Sequence, residues 1–221
     1  MKPVTLTCHV PNTVADTVSL FASSEFPKLL AVGQTLIPML YMRDVLTDNL
    51  IGLSRGEGLE GVREESGDIE TGAMTRQCGL RRDPVIAYHL PIIPEGSRWI
   101  GQVATRGRDT IGGSLNHLDP AAELPAIVAA YGAMLVVQSR RGSRAIIASD
   151  WFQGYMAPAL EPDDSLVAMI PAACEELYGN FFIEPALRVD PGMNGKANRE
   201  TTTANICGAP DRDPLLMRHS L

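Results

Sequence analysis

From Thr110 to Pro125 the chain reads Thr-Ile-Gly-Gly-Ser-Leu-Asn-His-Leu-Asp-Pro-Ala-Ala-Glu-Leu-Pro, and its adjacent glycines constrain the fold more than any other stretch. Gly112 and Gly113 stand between the hydroxyls of Thr110 and Ser114. A backbone without Cβ atoms can turn sharply there and present bare N–H groups to an anion. Taken alone, a Gly-Gly pair far more often makes an ordinary turn than a nucleotide cradle. Asp119-Pro120 closes a turn, and Pro125–Tyr131 reads as a short helix with Pro at its first position and Gly132 past its end.

A second glycine turn lies upstream. Pro27–Val32 reads as a short apolar strand running into Gly33-Gln34-Thr35, followed by helical Leu36–Arg43 with Pro38 confined to the first turn. This strand, tight turn and helix start can direct N–H groups to one point; the bland reading is a plain strand-to-helix connection. Before it, Val4–Val10 reads as a strand, and Pro11-Asn12-Thr13 caps a helix that turns Val14, Val18 and Phe21 to one side.

Leu50–Leu53 reads as another strand, and Leu59–Glu64 with Asp68–Met74 forms a hairpin across Ser66-Gly67. Thr75 is expected to cap the next helix, and Asp83-Pro84 to open the helix that runs to Leu90. Pro91 and Pro94 are expected to limit regular structure before the glycine pair. Ala133–Ser139 and Arg144–Ala148 form a hairpin across Arg140–Ser143, and Asp150 caps the turn that carries Trp151, Phe152 and Tyr155. Cys174–Ile183 fits a helix or a strand, while Asp190–Leu221 lacks periodicity and reads as a disordered tail. The whole predicts an α+β chain with a small strand-helix-strand unit over about residues 1–53, a larger mixed-sheet unit over about 54–171, and an atypical tail over 172–221.

Composition narrows the function. A chain of 221 residues with 45% hydrophobic and 20% charged residues can bury a proper core, and its net charge of -7 argues against a nucleic-acid partner. No stretch approaches the roughly 18 apolar residues of a membrane span, and the N-terminal residues show no leader pattern, so a cytoplasmic location is expected. Cys8, Cys78, Cys174 and Cys207 lie far apart and are expected to be reduced, partly buried thiols; their spacing suggests neither a zinc site nor an iron-sulfur cluster. Glu64-Glu65 and Glu175-Glu176 read as solvated charge, and no catalytic grouping stands out. The aromatic group at Trp151, Phe152 and Tyr155 reads as core more readily than as a stacking surface.

The string from Thr110 to Pro125 closely resembles the second FAD-binding motif of the flavin (medium) subunit of molybdenum hydroxylases, the carbon monoxide dehydrogenase and xanthine dehydrogenase family. Leu30–Met39 is similar to that family's first FAD loop, with Val32 following the xanthine dehydrogenase pattern. Ile69-x-Thr71-Gly72-Ala73-Met74-Thr75 and the region from Phe152 to Pro171 follow the family's order too. The resemblance covers residues 1–171 and implies a two-part FAD-binding domain of the PCMH type. It implies that Ala31, Val32, Gly33, Gln34 and Thr35 hold the FAD diphosphate, with Thr110, Gly112, Gly113 and Ser114 contacting the diphosphate and ribityl portion. Asp119 and Glu123 would line the flavin and Ile111 would pack against it; His117 is more readily structural than a flavin contact. No metal site and no catalytic acid or base is implied on this chain.

By this resemblance the chain is an oxidoreductase subunit whose FAD receives electrons from a 2Fe-2S small subunit, substrate being oxidised on a molybdopterin-binding large subunit. The sequence departs from the family pattern where Arg106-Gly107-Arg108-Asp109 replaces Arg-Asn-x-Gly, which sets a carboxylate beside the expected phosphate loop unless Arg106 or Arg108 offsets it. Ser165–Pro171 is about one residue shorter than expected, and about 50 unlike residues follow in place of a C-terminal domain on the order of 100 residues. These departures leave a second expectation, a truncated remnant or partner-binding subunit with weak or no FAD binding.

Overall fold

The computed structural model describes residues 5–65 and 68–171. Its first part alternates strand and helix: β1 (Thr7–His9), α1 (Val14–Ser23), β2 (Pro27–Leu30), α2 (Leu36–Met42) and β3 (Asn49–Gly52). The strands pair in parallel in the order β1-β3-β2, so each neighbour is reached by a helical crossover. Central β3 carries the core residues Leu50 and Ile51. Helix α1 starts where expected, because the Thr13 hydroxyl accepts the Asp16 N–H at 3.0 Å, and its buried side chains are Thr17 and Val18.

The second part begins with β4 (Val62–Glu65) and β5 (Asp68–Gly72), an antiparallel pair in which Arg63 faces Glu70 and donates to it at 2.5 Å. The helices α3 (Gln77–Arg82), α4 (Pro84–His89), α5 (Ile92–Gly96), α6 (Val103–Arg108), α7 (Ile111–His117) and α8 (Glu123–Ala130) follow. Then come β6 (Met134–Ser139), β7 (Gly142–Ile147), α9 (Ala148–Trp151), β8 (Phe152–Gly154), β9 (Ala157–Pro158) and β10 (Ser165–Ile170). The strands β4-β5-β10-β6-β7 form one antiparallel sheet, and β8 and β9 a separate small ribbon. Leu115, Leu124, Val128, Leu135, Val137, Trp151, Leu166 and Met169 are all buried, joining α7, α8 and α9 to the sheet. The architecture is α+β, with a small parallel sheet preceding a larger antiparallel one.

Several sequence expectations are corrected. Pro91 and Pro94 do not keep their region irregular, since α5 contains Pro94 and α6 follows. Helix α8 opens at Glu123, two residues before Pro125, which the first turn tolerates because an N–H there lacks a helical partner anyway. Asp150 lies inside α9 and caps nothing; Trp151 is core, but Phe152 and Tyr155 are exposed. Thr75 does not cap α3, whose first residue is Gln77; its hydroxyl accepts from Gly61 N–H at 2.9 Å and donates to Gly61 C=O at 3.0 Å. Cys8 is exposed rather than partly buried, whereas Cys78 is half-buried. The expectations for Ser66-Gly67, Cys174–Ile183, Glu175-Glu176, Cys207 and Asp190–Leu221 lie outside the described residues. Among the described residues no helix is long and apolar enough to cross a membrane, and no group of side chains could hold a metal ion.

The loop entering β10 is tied to the β6–β7 hairpin by charge. Asp164 is buried and accepts from Arg144, from Arg141 and from the Glu161 N–H at 2.9 Å, while Arg141 also reaches Asp163 at 2.7 Å. Asp164→Ala is expected to lower stability by about 1–2 kcal/mol, because the Glu161 N–H loses its acceptor while Arg144 keeps the Ala159 C=O and Arg141 keeps Glu161 and Asp163. A urea denaturation midpoint measures it. A loss under about 0.5 kcal/mol would mean that the exposed Arg141–Asp163 pair suffices, against the low worth of such pairs.

Candidate functional site

The two glycine motifs, some 80 residues apart in sequence, meet in space. A Cβ placed on Gly113 would lie 3.9 Å from the Ala31 Cβ. What brings them together is the segment from Gly72 to Gln77, which serves as a platform for both. Its Ala73 C=O accepts the Gly112 N–H at 2.8 Å, its Thr75 C=O accepts the Ile111 N–H at 3.0 Å, and its Gln77 N–H donates to the Asp109 C=O at 2.9 Å. On the other side Met74 packs in a cluster with Leu53 and Leu59, against which Ala31, Val32, Leu29, Val14 and Val167 also lie.

The loop from Ala31 to Thr35 supplies a donor array. Gly33 has φ +78°, and a Cβ there would sit 2.6 Å from Ile37 Cγ1, so both backbone and packing require glycine. The side chains of Ala31 and Val32 are spent on the apolar cluster, but the N–H groups of Val32, Gly33, Gln34 and Thr35 donate to no described residue. Four successive unbonded N–H groups around a positive-φ glycine are suited to an anion. Buried donors left unpaired are costly, and the half-buried Val32, Gly33 and Gln34 gain from one. Thr35, exposed, is the residue preceding α2, and its side chain makes no cap bond.

The Thr110–Ser114 stretch differs from its expected form. It is not a loop of bare donors but the first turn of α7, with Thr110 as N-cap. Gly113 N–H donates to the Thr110 hydroxyl at 3.1 Å and Ser114 N–H to the Thr110 C=O at 3.2 Å, while Thr110 N–H donates to the Asp109 carboxylate at 3.0 Å. With Ile111 and Gly112 held by the platform, every N–H from Thr110 to Ser114 has a protein partner. Its glycines serve close approach instead. A Cβ on Gly112 would press to 2.6 Å from the Ala73 carbonyl oxygen, and one on Gly113 would already touch Thr110 Oγ1 at 3.1 Å, Asp109 Oδ1 at 3.5 Å and Ala31 Cβ at 3.9 Å. Ile111 and Thr110 are buried, and Ser114 is half-buried one step beyond.

Asp119 is exposed and its carboxylate accepts the Ala121 N–H at 2.9 Å, forming the turn into α8; Glu123 stands half-buried in the first turn of that helix. His117 ends α7, where a cation suits the helix terminus. The offset to Asp109 that the sequence left open to Arg106 or Arg108 is not made by an ion pair with either. Arg106 donates to the carbonyls of Ile100 and Gly101, Arg108 is exposed, and the Asp109 carboxylate instead accepts from Gln77 Nε2 at 3.1 Å. Burial pushes the Asp109 carboxyl above its ordinary value, opposed by the bonds from Thr110 and Gln77 and by the charge of His117. Gln77 went unnoticed in the sequence, since a lone glutamine after Arg76 carries no local signal. It is buried at 1% exposure beneath the motif.

A family model described as the FAD binding domain in molybdopterin dehydrogenase matches residues 4–172. The chain is 34% identical over 168 residues to the 6-hydroxypseudooxynicotine dehydrogenase complex subunit alpha of Paenarthrobacter nicotinovorans, covering 76% of this chain and 57% of that protein. It is 35% identical over 170 residues to the carbon monoxide dehydrogenase medium chain of Afipia carboxidovorans, covering 76% and 59%. The solved carbon monoxide dehydrogenase of Hydrogenophaga pseudoflava superposes with a TM-score of 0.76 at 33% identity, over 78% of this chain and 61% of that one. The chain thus spans about three-fifths of the length of these relatives.

Proposed function

Because the chain belongs to the family of FAD-binding domains of molybdopterin dehydrogenases, we propose that it binds FAD with the diphosphate on the Ala31–Thr35 loop. The observation that carries this reading is the row of four N–H groups without a described partner at Val32, Gly33, Gln34 and Thr35, beside the close approach of Gly113 to Ala31. No lysine or arginine is required there, since oriented amides hold an anion by themselves.

The two glycine motifs divide the labour. Val32, Gly33, Gln34 and Thr35 donate hydrogen bonds, while Ala31 and Val32 anchor the loop to the Leu53–Leu59–Met74 cluster so that the donors are fixed before the ligand arrives. Gly112 lets α7 approach the platform, Gly113 lets it approach Ala31, and Thr110 fixes the turn. Ile111 and Ser114 continue that wall, and Asp119 and Glu123 follow it as the polar positions toward the flavin. When bound, FAD supplies the redox chemistry, and the protein positions and tunes it. No side chain among the described residues need act as a general acid or base.

In this reading the chain is the flavin part of a molybdenum hydroxylase of the carbon monoxide or aerobic dehydrogenase type, located in the cytoplasm. Electrons reach its FAD from a 2Fe-2S subunit and leave for a final acceptor, and substrate is oxidised on a molybdopterin-binding subunit. The test is the visible spectrum of the purified chain, with the released cofactor identified after denaturation. Bound FAD, or stoichiometric uptake of added FAD, is the expected result. A colourless chain that takes up no FAD would make the non-catalytic remnant the better account.

A further inference from the structure

The one residue that departs from the family's glycine motif in charge also stands at the meeting point of the two motifs. A Cβ on Gly113 would lie 3.5 Å from Asp109 Oδ1 and 3.9 Å from Ala31 Cβ, so the carboxylate lies within about 7.4 Å of the first residue of the donor loop. We infer that Asp109 sets both the strength and the pH dependence of FAD binding: as a carboxylate it opposes the diphosphate, and binding draws a fraction of a proton from solvent onto it. The inference rests on the FAD reading above and concerns a residue that this reading leaves without a role.

The surroundings of Asp109 offer it little counter-charge. From α7, His117 acts on it; from α6, Arg106 is engaged by the Ile100 and Gly101 carbonyls and Arg108 is exposed. At the start of α3, Arg76 donates to the Gly107 C=O. A neutral Asp109 is nonetheless accommodated. Gln77 Oε1 is buried without a partner among the described residues, and turning that amide over offers an acceptor to a protonated carboxyl in place of the Nε2 donor.

The sign follows from linkage. Burial already holds the Asp109 carboxyl above its ordinary value in the free chain, and a nearby diphosphate raises it further. FAD therefore binds best where Asp109 is protonated and less well as pH rises through the interval between the free and bound values, which begins above the ordinary carboxylate value of 3.8. One repulsive charge at this distance in a half-exposed site weakens binding on the order of tenfold.

The experiment is titration of the full chain with FAD, followed by flavin fluorescence from about pH 4.5 to 8, on the wild type and on Asp109→Asn. The amide keeps an acceptor for the Thr110 N–H. Expected is binding by the variant about tenfold tighter at pH 8, with the pH dependence of the wild type lost. Calorimetry of the wild type over the same pH range in two buffers of different ionisation heat needs no variant, and proton uptake peaking at about half a proton per FAD, as a tenfold effect requires, is expected. Equal affinity of the two chains with no proton uptake would overturn the inference while leaving FAD binding in place. No binding by either chain at any pH would overturn the FAD reading and this inference with it.

Discussion

Gly113→Trp is expected to weaken FAD binding by at least about a hundredfold while leaving the chain folded. A Cβ on Gly113 would already touch Ala31 at 3.9 Å, so an indole built there crowds the place where the two motifs meet. The Cβ itself fits: its closest neighbour is Thr110 Oγ1 at 3.1 Å, a side chain that can give by a few tenths of an ångström, so the stability cost is about 1–2 kcal/mol. The N–H of residue 113 still donates to Thr110, because the change touches no backbone group. Fluorescence titration with FAD and a thermal melt on the same sample separate the two effects. Retained affinity would place the cofactor elsewhere and leave the donor loop without its proposed ligand.

The largest expected loss of stability is that of Trp151→Ala, about 3–5 kcal/mol. Trp151 is wholly buried, and its Nε1–H donates to the Leu115 C=O at 2.9 Å, so the indole supports α7 from the middle of the core. Alanine removes that bond and leaves a cavity beside Leu115, itself fully buried. For a domain of this size the melting temperature should fall by roughly 10 °C or more. Trp151→Phe keeps most of the volume and should lose less than half as much. A loss under about 1.5 kcal/mol for the alanine variant would mean that the core collapses into the gap. FAD affinity should fall with stability, since α7 carries Gly112, Gly113 and Ser114.

Legibility in the sequence followed the range of the interaction. Local chemistry could be read directly: Thr13 before α1, Asp83 and Pro84 before α4, and the apolar runs of β2, β3 and β6. The alternation of β6, with Leu135, Val137 and Ser139 buried, is the period of a strand with one covered face. Strand β10 was not assigned because it lacks that period. Its register shifts between Leu166 and Ala168, which places Val167 in a bulge, and its burial comes from a sheet whose other strands lie far away in sequence. The two FAD-like motifs were legible as strings, but the state of their N–H groups was not. Whether Gly112 N–H is bare depends on Ala73, a partner 39 positions earlier, and no pattern around the glycines announces that bond. Gln77 was missed for the same reason.

The position of β10 also governs how the chain can be made. It is the last strand of the sheet in sequence, yet it sits between β5 and β6 at the centre, antiparallel to both. On the ribosome, the hairpins β4–β5 and β6–β7 emerge first, each with one unpaired edge facing the other across an empty slot. Only when Ser165–Ile170 clears the exit tunnel can the sheet be completed, so the nascent chain passes through a stage with two open edges. The parallel sheet needs nothing beyond Gly52, but the larger sheet closes only with its last strand, and slowly by the measure of its long-range pairings. Nascent copies depend on whatever shields those edges in the interval.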